Sequence, residues 1–485
     1  MKNLHITILL SLLTLLFFGS CIEDGVSTSS SDQPVFSVDT LRLTDSFTGS
    51  TTPTGRFIVH NNHDKIISIG SISLRDKDQG IFRLNVDGIS GKEFQNVEIR
   101  PNDSIFVFVE AKLPVNGVDN PVVIENILDF STQGVTRSVV LSVKGQDAVD
   151  IKGVTLTENT LWTDAKPYHI YDSLVVAEGV TLNLTPGTRL AFHDKAYMKI
   201  YGTLKSEGTA QNPVQFTGDR TGFVASNIPY EIMSGQWEGI FFAPTSKDNV
   251  MRFTSVRNYS NGVVLDNVVS SPALTVIASQ LRNSKGYVMA SLNSDVEIYA
   301  SELAEASEGI LYLEGGRHVI NHCTIANYYL FSALGGPAVQ FYHLDEDSDN
   351  GSGMPYLSAD ISNSIIYGNG TELNVGDFTG KPVFIRNTLL RSAGSNDDNF
   401  IDCLWDTDPL YYTVRQDYYF NYHLKPESPA IGVANPSLTH ANSMVDFTGN
   451  RQNPSAPDLG AYVFEPAEVK EQPSTYKKND CLDHS

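Results

Sequence analysis

Basic residues are scarce in this sequence. Its 485 residues hold 34 Lys and Arg against 56 Asp and Glu, a net charge of −22. A nucleic-acid interface needs clustered cations facing phosphates, so this balance excludes DNA or RNA as the partner. It also argues against electrostatic docking on anionic lipid. Charge of either sign is thin, at 19% of residues, below the usual quarter. Beyond the first twenty residues, no apolar run approaches the length of about 20 that a membrane-crossing helix needs. Cysteine is rare as well: four are present, and no pair has metal-ligand spacing. What remains is 41% hydrophobic and 10% aromatic, ample for a large core. Length alone suggests about three domains.

The N-terminus reads as an export signal. Lys2 and His5 precede an almost continuous apolar stretch from Ile6 to Phe18, too short to span comfortably. Residues 1–20 are therefore expected to be a signal peptide. The junction Phe18-Gly19-Ser20-Cys21 resembles the lipobox of bacterial lipoproteins. That resemblance implies lipidation of Cys21 and a membrane partner through two or three acyl chains, enough for stable anchoring. Ile22-Glu23-Asp24 resembles the surface-export signal of Bacteroidetes lipoproteins, which implies an outer-membrane protein exposed at the cell surface. The Ser/Thr run up to Ser31 makes residues 21–33 a flexible tether. Without Cys21, three cysteines remain. Cys323 falls in an apolar strand pattern and is expected as a buried free thiol, and pairing of Cys403 with Cys481 stays open.

From 34 to 148 short runs alternate apolar and polar residues, as in Arg56-Phe57-Ile58-Val59 and Phe82-Arg83-Leu84-Asn85-Val86, with turns at Asn61-Asn62 and Pro101-Asn102-Asp103. About seven strands at this spacing predict a β-sandwich. The segment resembles immunoglobulin-like modules of the abnormal-spindle/hydin kind, which implies a spacer or interaction domain.

From 149 to 465 the pattern changes to shorter runs at a regular interval. Val256, Leu281, Leu303, Ile325, Ile365 and Leu389 occupy one position of a repeat, at steps of 25, 22, 22, 40 and 24 residues. Three short strands per 22–25 residues, without helix, predict an all-β right-handed parallel β-helix. The 40-residue step is one coil plus an insertion. Ser255, Ser279, Ser301, Cys323, Asn363 and Thr388 are expected to stack as an internal or corner ladder. A polar tail, 466–485, ends the chain.

Two segments resemble bacterial surface right-handed parallel β-helix repeat proteins with choice-of-anchor Q domains. One holds Leu182-Asn183-Leu184-Thr185-Pro186-Gly187-Thr188 and Gly235-Gln236-Trp237-Glu238-Gly239-Ile240. The other holds Tyr422-His423-Leu424, Asp446-Phe447-Thr448-Gly449-Asn450-Arg451 and Asp458-Leu459-Gly460-Ala461-Tyr462. The resemblance implies a surface β-helix and no particular reaction.

Catalytic constellations are thin. Glycoside hydrolysis needs paired carboxylates about 5–9.5 Å apart, and Asp397-Asp398 reads as a solvated turn instead. A polysaccharide lyase needs a base and a cation for the uronate carboxylate; Arg317, His318, His322 and Arg386 are the available set. Asp345, Asp347 and Asp349 alternate like the start of a calcium loop, but Asn350 replaces the expected Gly and Tyr356 the closing Glu. Calcium is thus the one cofactor considered, and none is required. Tyr328, Tyr329 and Tyr342 border the insertion and offer rings for a sugar. These features favour a non-catalytic surface protein binding a polysaccharide or surface partner, ahead of a lyase or a purely structural role.

Overall fold

A computed structural model describes residues 25–77, 80–225, 228–344, 355–374 and 378–466. The signal peptide, Cys21, Asp345, Asp347, Asp349, Cys481 and nearly all of the 466–485 tail lie outside these residues. No described helix is long and apolar enough to cross a membrane. Among the described residues the chain is all-β apart from short 3-10 turns, and it divides after Asp147 into two compact units.

The first unit holds a five-stranded antiparallel sheet and a six-stranded mixed sheet. Strict alternation sends Ile105, Val107, Val109 and Ala111 of Ser104–Ala111 inward, while Ile67–Leu74 buries Ile67, Ile69, Ile72 and Leu74, its alternation shifting phase at Gly70-Ser71. Both sheets share that core. Its longest strands, Val122–Thr132 and Val135–Gln146, are joined by Gln133-Gly134, both at positive φ. Two left-handed residues give the turn whose twist matches a hairpin. Residues 25–33 are not a free tether. Ser27 and Gln33 are buried, Ser27 N–H donates to the Ile66 carbonyl (2.8 Å), and the Gln33 amide donates to the Thr132 carbonyl (3.1 Å). The Ser/Thr run satisfies backbone polar groups that a composition argument cannot see.

In the second unit each of the central coils supplies three short strands, giving parallel sheets of 16 and 10 strands. The larger sheet forks at Tyr168–Val176. The first half of that strand pairs with Arg189–Phe192 and the second half with Tyr197–Ile200, with Asp172 at φ 71° between them. The unit is thus a solenoid with three faces. The first runs from Tyr197–Ile200 to Val339–Tyr342, the second from Arg189–Phe192 to Leu389–Leu390, and the third is the ten-stranded sheet. One apolar core runs inside it from Trp162 to Cys403.

The corner from the third face to the second explains the repeat. Phe253, Ala278, Ala300, His322, Asn363, Asn387 and Asp402 all turn the chain with φ between 43° and 53°. Each left-handed turn is followed by a small inward residue: Thr254, Ser279, Ser301, Cys323, Ser364, Thr388 and Cys403. Their hydroxyls satisfy backbone N–H groups one coil back, Ser279 to Thr254 (3.1 Å), Ser301 to Ser279 (3.0 Å) and Ser364 to Cys323 (3.0 Å). Buried backbone donors need such partners. The ladder therefore holds Thr254 and Ser364, not the expected Ser255 and Asn363. Likewise Leu281, Leu303 and Ile325 align with Ile366 and Leu390, one residue beyond Ile365 and Leu389. A one-residue slip turns a strand inside out, so Ile365 and Leu389 point outward. Cys323 and Cys403 are buried free thiols, and Cys403 Sγ lies 3.3 Å from the Ile385 carbonyl.

The outward apolar residues are covered by the C-terminal strap, 404–466. Its Tyr411, Tyr422, Leu424, Leu459, Ala461 and Tyr462 pack on Ala304, Ala326, Ile365 and Leu389 of the second face. Beneath it lies an ion pair, Arg282 with Glu302. Tyr462 donates its hydroxyl to Glu302 (2.5 Å) and Tyr422 donates to Glu305. The C-terminal motifs single out residues that seat this strap.

Candidate functional site

The four basic residues proposed from sequence do not converge. His318 points into the solenoid, 1% exposed, and its Nε2 meets the Gly315 carbonyl (2.9 Å). His322 is fully buried at a corner, where its Nε2 meets the Asn363 amide (3.0 Å) and the Thr439 hydroxyl (2.9 Å) under the strap. Burial pushes both imidazoles down to about 4. Arg317 is paired with Glu297 (2.9 Å), and Arg386 with Asp360. Arg317 opens its strand and Arg386 ends a strand two coils on. One imidazole inside the solenoid, one under the strap, and two guanidiniums at opposite strand ends, each on its own carboxylate, leave no point at which all four could meet a uronate. Arg317, His318, His322 and Arg386 therefore do not form a lyase site.

The tyrosines separate as well. Tyr328 stacks on Tyr422 (6.1 Å) beneath the strap, and Tyr329 is 5% exposed with its hydroxyl on Ser234 (2.6 Å). Both are packing residues. Arg415 of the strap donates to both of their carbonyls at 3.1 Å. Tyr342 differs: it is exposed on the first face, in a row with Tyr312 (4.9 Å), which contacts Tyr287 (5.2 Å). Asp397 accepts the N–H groups of Asn399 and Phe400 and so caps a turn, as the sequence suggested.

That same first face carries a concavity of ≈ 550 Å³ which the sequence reading missed. Its floor is set by alternation. In Tyr197–Ile200, Met198 and Ile200 turn inward, leaving Tyr197 and Lys199 outward. Register then places Phe241 beside Lys199 and Val264 beside Phe241. Beside Tyr197 stands Gly239, whose Cβ would collide with the Gly262 carbonyl. With no side chain there, the Tyr197 ring stays open. Phe241 meets it edge-on (6.4 Å, 80°), and Lys199 Nζ lies 5.1 Å from the centre of the Tyr201 ring. Glu238 and Asp266 complete the rim. The Tyr201 hydroxyl holds the Lys199 ammonium above its ordinary range, so Lys199 is a fixed cation and not a proton acceptor.

Groove and tyrosine row share one outward face over six coils. At about 4.8 Å per coil, that face offers aromatic surface along about 24 Å. The signal missed in the sequence is a column: aromatic residues at outward positions one or more coils apart, which look like ordinary strand alternation when read locally.

No protein-family model matches the chain, and no curated protein matches it. Among solved structures, a family 123 glycoside hydrolase from Clostridium perfringens, studied for glycolipid glycan hydrolysis, overlaps 26% of this chain at 8% identity with a TM-score of 0.17. The chain covers 29% of that protein's length. So slight an overlap carries no argument about fold or function.

Proposed function

We propose that the first face of the solenoid binds a neutral glycan without cleaving it. One observation carries this reading: the half-buried rings of Tyr197, Tyr201 and Phe241 line a concavity together with one cation and two carboxylates. Flat apolar rings with polar edges suit a sugar, which has an apolar face and a hydroxyl rim. One Lys against Glu238 and Asp266, on a chain of net charge −22, disfavours a polyanionic ligand. The reading is completed by a right-handed winding of the coils, an immunoglobulin-like first unit as spacer, and a lipid anchor at Cys21 at the outer-membrane surface. Calcium at Asp345, Asp347 and Asp349 is not needed for it.

Titration calorimetry of the protein with neutral oligosaccharides of increasing length tests the proposal. Binding should strengthen up to the length that fills the groove. Tyr197→Ala and Phe241→Ala should each weaken it at least tenfold, about 1.4 kcal/mol, without shifting the thermal midpoint of these half-buried positions. No binding across a neutral panel, or equal binding by both variants, refutes it. New reducing ends or unsaturated products during incubation would replace binding with catalysis.

A further inference from the structure

On a different part of the solenoid, near its N-terminal coils, three side chains from three successive coils converge. His169 lies in Tyr168–Val176, His193 directly follows Arg189–Phe192, and Asp219 directly follows Val214–Gly218. The backbone stays in register past the strand ends: His193 N–H donates to the Ile170 carbonyl (2.8 Å) and Asp219 N–H to the Phe192 carbonyl (2.9 Å). Asp219 Oδ2 lies 3.0 Å from His169 Nε2 and 2.6 Å from His193 Nδ1. One ligand atom from each residue falls within 4.8 Å of the other two. We propose that His169, His193 and Asp219 form a binding site for a divalent transition metal of the zinc class.

The chemistry favours such an ion over others. Two imidazole nitrogens and one carboxylate are a common three-ligand set for zinc, which leaves the fourth tetrahedral position to water or a ligand. Calcium and magnesium take oxygen donors, so two imidazoles select against them. Bond lengths of about 2.0–2.2 Å set tetrahedral ligand atoms about 3.3 Å apart, so admitting the ion requires an opening of about half an ångström. The surroundings resemble a support shell. Asp150 Oδ1 stands 3.9 Å from His169 Nδ1, on the side away from Asp219, a charge contact longer than a hydrogen bond. The Tyr171 ring lies against both histidines, at 4.2 and 5.2 Å. Exposure is graded, with side chains 5% exposed at His169, 13% at Asp219 and 52% at His193. The site is thus fixed from below and open to solvent above.

The test is zinc titration of the tag-free protein after chelator treatment and desalting, read by calorimetry and by metal content after dialysis. One Zn²⁺ per chain is expected at this site, undisplaced by a large excess of Ca²⁺. His193→Ala and Asp219→Asn should lose about 100-fold or more in affinity. His193 is half-exposed, so His193→Ala folds and decides the question even if Asp219→Asn does not. Wild-type protein that retains no zinc, or unchanged zinc binding in His193→Ala, overturns the proposal and leaves the cluster as a hydrogen-bonded His–Asp–His contact.

Discussion

Arg282→Met is expected to lower the unfolding free energy by about 3–5 kcal/mol and to free the C-terminal strap. Glu302 is 1% exposed, and Arg282, 16% exposed at the side chain, is its cationic partner. Burial pulls the guanidinium down, but Glu302 beside it more than compensates and holds it above its ordinary range. Removing one partner of a buried pair leaves the other charge uncompensated, which costs about 3–5 kcal/mol. The loss falls on the strap because Glu302 also holds the Tyr462 hydroxyl, which in turn accepts from Gln280 (2.7 Å). Urea unfolding should report the loss, and limited proteolysis should show earlier cleavage within 404–466. Arg282→Met/Glu302→Gln should recover most of it, since no buried charge is then stranded. A single variant within 1 kcal/mol of wild type would mean that the pair is solvated and that the strap rests on apolar packing alone.

Acidification from pH 7 to pH 4 should cost His318 and His322 about 3 kcal/mol each. Both are neutral in the folded chain with imidazoles pushed down to about 4 by burial, against about 6.5 when unfolded. Between those values the unfolded chain takes up protons that the folded chain refuses, so stability is full above pH 6.5 and falls as pH drops. Protonating His322 would also set an N–H of Nε2 against the Asn363 amide, which now donates to it at 3.0 Å. Glu305 works in the opposite sense. Burial raises its carboxyl to about 7, so its contribution is present at low pH and is lost as pH rises through 4.5 to 7. Over the shared window two histidines outweigh one carboxyl, so these three groups together lose about 1.4 kcal/mol per pH unit on acidification. His322→Asn should flatten the curve by about 3 kcal/mol and Glu305→Gln should steepen it. Parallel curves for wild type and His322→Asn would contradict the assignment.

The repeat was legible because its cause is local: one left-handed corner and one small inward residue per coil leave a period of 22–25 residues. The slip at Ile365 and Leu389 was not legible. Their outward faces are apolar only because a strap from about 20 to 100 residues further on covers them, and no local pattern separates that burial from the core. For the same reason His322 looked like an exposed base. The groove and the His169–His193–Asp219 cluster escaped because their members stand one coil or more apart. Reading columns at the coil period, 24 and 26 residues in the cluster's case, would have found both. The docking of residues 25–33 was hidden by a composition that suits both a tether and a set of backbone hydrogen-bond partners.

Hydroxyl-radical footprinting with and without the best-binding neutral oligosaccharide tests glycan binding at the first face most directly, because it reads each ring separately. Protection is expected at Tyr197, Tyr201 and Phe241, extending to Tyr287, Tyr312 and Tyr342 with longer chains, while Trp405, Tyr412 and Tyr419 are unchanged. Protection confined to that second group, with the first-face rings oxidised as in the free protein, would contradict it.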